Sequence, residues 1–382
     1  MRALILSAHT GGGHDAAAYA LRDALEVLGV ESRVEDCLAF GGRWLSKLVC
    51  TTYVKMVQHV PTLFGKVYKL GGALSNPHFK SVGYYANASY AFRMERLLEE
   101  FQPDIILCTH VFGGQTVTRL RRKGVFKGVL GMVMTDYTLH PFTEDVEADL
   151  LFVAHEGIRA YCIKRGFPAE MICATGIPVS PACVPCQDKN EAKRALGLDP
   201  AKQEVLLVGG SMGAGNLPEA IADLLPVLGE RAHLTVICGS NAKLRAELKE
   251  RYADDNRVKV EGRVSPLYPL MAAADVLVTK SGGLTTTEAM TIGTPMIIIN
   301  PIEGCETANA VFFEDHCLAG YCRTSGELPH RLNIMLMDDE LRARMIRAQR
   351  KEINPQAAAD IGLAMMKASA RKTTGAELTI SL

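Results

Sequence analysis

Both halves of this chain open on the same unit: an apolar run of strand length, a glycine turn and a helical stretch. Residues 2–8 lead through His9-Thr10-Gly11-Gly12-Gly13-His14 into a helix expected over 15–28, with Ala17, Leu21, Ala24, Leu25 and Leu28 on one face. Residues 205–215 read V-L-L-V-G-G-S-M-G-A-G, and residues 278–290 repeat the theme as V-T-K-S-G-G-L-T-T-T-E-A-M. Strands that feed helices through such turns point to parallel sheets of the doubly wound type. A helix start offers unpaired N–H groups and partial positive charge, which suits phosphate. Two such turns in the second half suggest one nucleoside-diphosphate site, with Glu288 placed to accept from ribose hydroxyls.

Lys280-Ser281-Gly282-Gly283-Leu284-Thr285, Glu288 and Glu306…Asn309 resemble the donor half of glycosyltransferase family 28, and the resemblance covers residues 2–365. It is strongest to the lipid-glycosylating branch, the bacterial diacylglycerol glucosyltransferases and the monogalactosyldiacylglycerol synthases. The resemblance implies an α/β protein of GT-B fold: two facing Rossmann-like domains with an inter-domain cleft. Residues 1–180 would form the acceptor and membrane-binding domain and 188–340 the UDP-sugar domain. Helices over 341–372 would cross back to the first.

The rest of the chain fits that plan. Further strands are expected at 104–108, 129–134 and 150–154, then at 204–208, 233–238, 257–261, 275–278 and 295–299, with helices between them. Proline-rich residues 175–187 read as the linker. The eleven cysteines show no framework. Cys183 and Cys186 form a lone C-x-x-C, and reduced thiols in cytoplasm fit best. No run reaches the ~20 apolar residues of a membrane span, and the first strand is too short for a signal peptide.

Residues 37–94 differ in composition. Seven basic residues, including Arg43, Lys47, Lys55 and Lys66, stand with no Asp or Glu between Asp36 and Glu95. Trp44, the only tryptophan, lies here among many aromatics. Basic and aromatic residues together suit an interfacial helix on an anionic membrane; core helices with clustered surface lysines are the alternative. The formal net charge of zero says nothing about partners. No nucleic-acid partner is expected.

For chemistry, the resemblance sets His14 beside the reacting centre. A histidine, with an ordinary pKa of ~6.5, can take a proton near neutrality. Asp136, in the strand-end segment Thr135-Asp136-Tyr137-Thr138-Leu139-His140-Pro141, would assist it. His140 and His110 would face the acceptor. Gly13, Ser211, Met212, Gly213 and Ala214 would surround the diphosphate with Ser281, Gly282, Gly283, Leu284 and Thr285. Gly239, Asn241, Gly262 and Val264 would edge the nucleobase and ribose. Glu306 and Asn309 would face the donor sugar, although the family's P-G-Q-E is here Glu303-Gly304-Cys305-Glu306, so an amide that would bond sugar hydroxyls is missing. No D-x-D is present; no metal and no cofactor are expected, and helix N-termini would stabilise the leaving diphosphate.

The expected activity is inverting transfer of a hexose from a UDP-sugar to a membrane lipid, foremost 1,2-diacylglycerol, on the cytoplasmic face of the membrane. Rivals remain. A UDP-N-acetylglucosamine 2-epimerase or a lipid I N-acetylglucosaminyltransferase shares the domain plan. Gly209-x-Ser211-x-Gly213 also fits an esterase elbow, for which Asp275 and His316 would complete a triad. A non-catalytic UDP-sugar sensor would keep the Glu288 pocket without needing His14.

Overall fold

The computed structural model describes residues 1–9, 12–42, 80–211, 213 and 216–374. The chain divides into two compact units: unit 1 is Met1–Ala182 with Asn354–Leu382, and unit 2 is Cys183–Ile353.

Unit 1 is built on a six-stranded sheet, β1 (Arg2–Ser7), β2 (Glu31–Asp36), β3 (Ile105–Cys108), β4 (Val129–Val133), β5 (Leu150–Phe152) and β6 (Ile172–Cys173), in the order β2-β1-β3-β4-β5-β6. Every pairing is parallel. The inner strands are buried on both faces, which is why they read as unbroken apolar runs. One face packs Ile5, Ile105, Leu107 and Phe152 against Leu21 and Leu25 of helix α1 (Gly12–Val27) and against Ile361, Ala364 and Met365 of the last helix, Ala357–Thr374. The other face packs Leu4, Leu6, Ile106 and Leu130 against Met94, Leu97, Val117 and Leu120. Each fully buried leucine or isoleucine contributes roughly 1.5–3 kcal/mol. The last helix crosses the sheet at Gly131, where a Cβ would stand 2.7 Å from the Met365 sulfur.

Unit 2 repeats the design with β7 (Gln203–Val208), β8 (Ala232–Ile237), β9 (Val258–Glu261), β10 (Val276–Thr279), β11 (Met296–Ile298) and β12 (Gly320–Tyr321), in the order β12-β11-β10-β7-β8-β9 and again all parallel. In both sheets the strand carrying the glycine turn sits inside the sheet, β1 in one and β7 in the other.

Several details depart from the sequence reading. Strands β2, β6 and β12 were not expected. Residues 175–187 do not hang free: Ile177, Val179 and Cys183 are buried, and the Cys186 N–H donates to the Ile292 carbonyl at 3.0 Å. The second unit extends past 340 to take in the helix Asp339–Glu352, while Ala357–Thr374 belongs to unit 1. Of the expected membrane-facing residues, Arg43, Trp44, Lys47, Lys55 and Lys66 lie outside the described residues, as do Met212 and Ala214 of the donor turn.

Candidate active site

In unit 1, His14 lies in the first turn of α1, at the C-terminal edge of the sheet. Its Nδ1 is 2.8 Å from the Thr109 carbonyl and 3.1 Å from the Thr135 hydroxyl. A carbonyl only accepts, so Nδ1 carries the proton and Nε2 keeps the lone pair. The Thr109 hydroxyl donates back to the His14 carbonyl at 3.1 Å, locking the helix head to the end of β3. Burial holds the His14 pKa below 6.5, with Asp136 pulling it up and His140 pushing it down. At neutral pH the ring is therefore a neutral base with its basic nitrogen defined.

His110 plays a different part. It caps the helix Val111–Arg122, its Nδ1 accepting from the Phe112 N–H at 3.2 Å. Its ring meets His14 edge-on, with centroids 4.7 Å apart. Burial, then His14 and His140, push its pKa well down, so it stays neutral and holds the helix start. The ring of His140 lies 5.9 Å from that of His110, and its Nδ1 is 3.0 Å from the Pro141 carbonyl. Gly13 sits half-buried in the α1 head. His9 pairs with Asp15 at 2.7 Å, and Ser7 donates to the same carboxylate at 2.6 Å. The strand-end residues singled out in the first half thus converge on His14.

In unit 2 the turn after β7 is made of backbone packed on backbone. Gly213 (φ 59°) and Gly239 (φ 57°) are in the left-handed region. A Cβ on Gly213 would stand 2.2 Å from the Cys238 carbonyl oxygen, and one on Gly239 2.5 Å from that of Gly210. Ser211 is exposed, and its carbonyl accepts from the Ser240 N–H at 3.0 Å. On the other side of the turn, a Cβ on Gly210 would meet Lys280 at 3.1 Å. Lys280 pairs with Glu306 at 3.1 Å, and the second Glu306 oxygen accepts from the Ile302 N–H at 2.8 Å.

The helix Gly283–Ile292 starts at Gly282, which supplies no side-chain cap, and Thr285 is half-buried in its first turn. Leu284 is buried in the same turn. Glu288 stands about 7 Å further along the axis. Its carboxylate has no partner among the described residues, and burial alone pushes its pKa up to about 7.

Three residues expected to contact the donor are turned to other uses. Ser281 is fully buried and its hydroxyl donates to the Glu306 carbonyl at 2.5 Å. Asn309, also fully buried, donates to the Ser281 carbonyl at 2.9 Å. Asn241 caps the helix Ala242–Arg251, accepting from the Leu244 N–H at 3.1 Å. Gly262 and Val264 follow β9 half-buried, and a Cβ on Gly262 would press on the Arg245 side chain at 3.3 Å.

The esterase triad fails on geometry. Asp275 precedes β10, at the opposite end of the sheet from Ser211, and is held by Lys189 at 3.0 Å and Lys193 at 2.7 Å. His316 stacks on Phe312 with centroids 4.1 Å apart. Among the described residues no group of three or more His, Cys, Asp or Glu is placed to hold a metal ion, and the described cysteines are free thiols.

Comparison with known proteins matches residues 14–179 to the family described as monogalactosyldiacylglycerol (MGDG) synthase and residues 204–361 to the glycosyltransferase family 28 C-terminal domain. A processive diacylglycerol beta-glucosyltransferase of Bacillus cytotoxicus is 30% identical over 371 residues, covering 94% of this chain and 92% of the relative. The chain belongs to glycosyltransferase family 28. A second such relative of this family 28 glycosyltransferase, from Bacillus subtilis, is 28% identical and covers 90% of the chain and 89% of its own length. Among solved structures, Acinetobacter baumannii MurG superposes with a TM-score of 0.62 at 19% identity, covering 96% of this chain and 99% of that one. A UDP-N-acetylglucosamine 2-epimerase structure from Listeria monocytogenes gives 0.65 at 13%, covering 100% and 99%. These neighbours give the family 28 chain its GT-B fold.

Two groups escaped the sequence reading as site residues. The Thr109 carbonyl sets the His14 tautomer, and a main-chain role leaves no mark in residue type. Lys280 was visible as a cation directly before a glycine pair at a strand end, but only the packing shows it lying over the β7 turn.

Proposed function

We propose that this glycosyltransferase moves a hexose, glucose foremost, from a UDP-sugar to 1,2-diacylglycerol with inversion at the anomeric carbon. The observation that carries the reading is likeness over 94% of the chain to a relative named for glucosyl transfer to diacylglycerol. Unit 2 would hold the donor. Gly210, Gly213 and the N–H groups at the head of Gly283–Ile292 would take the diphosphate, Lys280 would offset its charge, and Glu288 would accept from the ribose hydroxyls. A carboxylate with no partner among the described residues is the acceptor that a diol requires.

Unit 1 would receive the lipid. His14 Nε2 takes the acceptor hydroxyl proton, the oxygen bonds to the anomeric carbon, and the carbon–oxygen bond to UDP breaks with the electron pair leaving on the phosphate. Asp136 stabilises the imidazolium that forms. The enzyme would work peripherally on the inner face of the cell membrane. Exposed Val82 and Tyr85 support a lipid-facing side on unit 1, and no described helix is long and apolar enough to cross a membrane.

The test is a product assay. The full chain meets UDP-glucose, UDP-galactose and UDP-N-acetylglucosamine separately, with and without anionic vesicles containing diacylglycerol. Glycolipid formed from UDP-glucose only when lipid is present supports the reading. UDP release indifferent to lipid overturns it in favour of an epimerase-like or soluble-acceptor enzyme.

A further inference from the structure

The loop from β4 carries Asp136 and His140 and ends in a short 3-10 turn, Thr143–Asp145. Asp145 is 3% exposed, yet it is a carboxylate. It accepts from the Ser81 N–H at 3.0 Å, from the Ser81 hydroxyl, and from the Gln115 side-chain amide at 2.9 Å. Lys80 adds a bond to its carbonyl at 2.8 Å.

The bonds continue from Gln115. A carboxylate only accepts, so Gln115 turns its NH2 to Asp145 and its oxygen to Asn87, which donates at 2.6 Å. That leaves the Asn87 oxygen for the Tyr90 hydroxyl. Asn87, Tyr90 and Gln115 are all buried. The relay has one donor–acceptor order and joins three elements: the helix Val82–Ser89, the helix Val111–Arg122 headed by His110, and the loop bearing Asp136 and His140. Two residues before Asp145, the Thr143 hydroxyl donates to the His140 carbonyl at 2.7 Å. Val82 and Tyr85, on the first of these helices, are 86% and 65% exposed.

An apolar contact would fasten a loop to a helix at less cost than a buried carboxylate. A directional chain differs in that shifting either end leaves a buried polar group unsatisfied, so the ends move together. We propose that Asp145 is a positioning residue that ties the setting of the Asp136–His140 loop to the seating of the Val82–Ser89 helix, so that contact of that helix with a lipid surface raises the transfer rate. This rests on the lipid-acceptor reading above.

The experiment uses the full chain and compares transfer from UDP-glucose to diacylglycerol in anionic vesicles with transfer to the same acceptor dispersed in detergent. UDP affinity and the thermal midpoint are measured alongside. Asp145→Asn should lower the vesicle kcat about tenfold, leave the detergent rate and the UDP Kd within about twofold, and so erase the vesicle stimulation. The exchanged pair Asp145→Asn with Gln115→Glu restores a donor facing an acceptor and should recover most of the stimulation. Equal losses in vesicle and detergent, tracking a lowered midpoint, overturn the proposal, as does an exchanged pair no better than the single variant. If Asp145→Asn does not fold, Ser81→Ala removes one donor and should reduce the stimulation in the same direction; unchanged stimulation overturns the proposal. A wild-type chain that makes no glycolipid at all overturns the lipid-acceptor reading, and this inference with it; a wild-type chain that makes glycolipid equally well in vesicles and detergent overturns this inference alone.

Discussion

The glycine turn after β1 ends in a histidine held by one carbonyl and one hydroxyl, Thr109 and Thr135. The turn after β7, also at the C-terminal end of an inner strand, shows no such group among its described residues; Gly213 packs on the Cys238 carbonyl and the Gly210 carbonyl packs on Gly239. A base must be a side chain, because only a side chain can be set to one tautomer and one pKa. A diphosphate is better held by N–H groups on backbone that can be approached closely, and there a side chain is an obstruction. Glu288, a half-buried carboxylate of unit 2 with no partner among the described residues, lies beyond the turn in the helix Gly283–Ile292.

The largest test of this contrast is His14→Ala. It should lower kcat by about 10²–10⁴ and leave UDP affinity unchanged in titration; equal loss of both would erase the division of labour. In the wild type, kcat/KM should fall on the acid side with a midpoint below 6.5, because the neutral ring is the active form and burial lowers its pKa. Next is Gly239→Ala. The added Cβ meets the Gly210 carbonyl and the φ suits only glycine, so unit 2 should lose about 1–3 kcal/mol of stability in denaturant unfolding, and UDP binding with it.

Glu288→Gln should weaken UDP about tenfold at pH 8. Wild-type affinity should rise with pH up to about 7 and then level, since ribose hydroxyls bind the ionised carboxylate. The variant should show no such rise, as calorimetry at several pH values would reveal. The smallest expected effect is Asn241→Ala, which removes a helix cap worth about 1 kcal/mol. UDP affinity should stay within twofold of wild type, roughly 0.4 kcal/mol, if the side chain serves the helix alone.

What was legible in the sequence follows burial. The inner strands announce themselves as apolar runs because both faces are covered. The three strands that escaped notice, β2, β6 and β12, all stand at sheet edges. Glu31–Asp36 carries four charged residues because one side meets water, and Ile172–Cys173 and Gly320–Tyr321 are two residues each. In the candidate site, the position of His14 at a helix head and of Glu288 inside its helix could be read from the glycine turns before them. Ser281 could not. Its type suits a phosphate contact, yet the chain folds Glu306 back over it, an event set by a segment 25 residues away.

The last helix, Ala357–Thr374, completes the face of unit 1 on which α1 rests, with Gly362 fitted under Leu25 and Leu28. The order of synthesis therefore runs against the order of the map. Unit 2 has all its strands and helices while unit 1, made first, still shows the ribosome-side world an uncovered stripe of Leu21, Leu25 and Ile105. The helix that covers this face of α1 emerges only after the whole of unit 2, so a chain interrupted near residue 353 would carry all of unit 2's strands and helices beside an α1 without its cover.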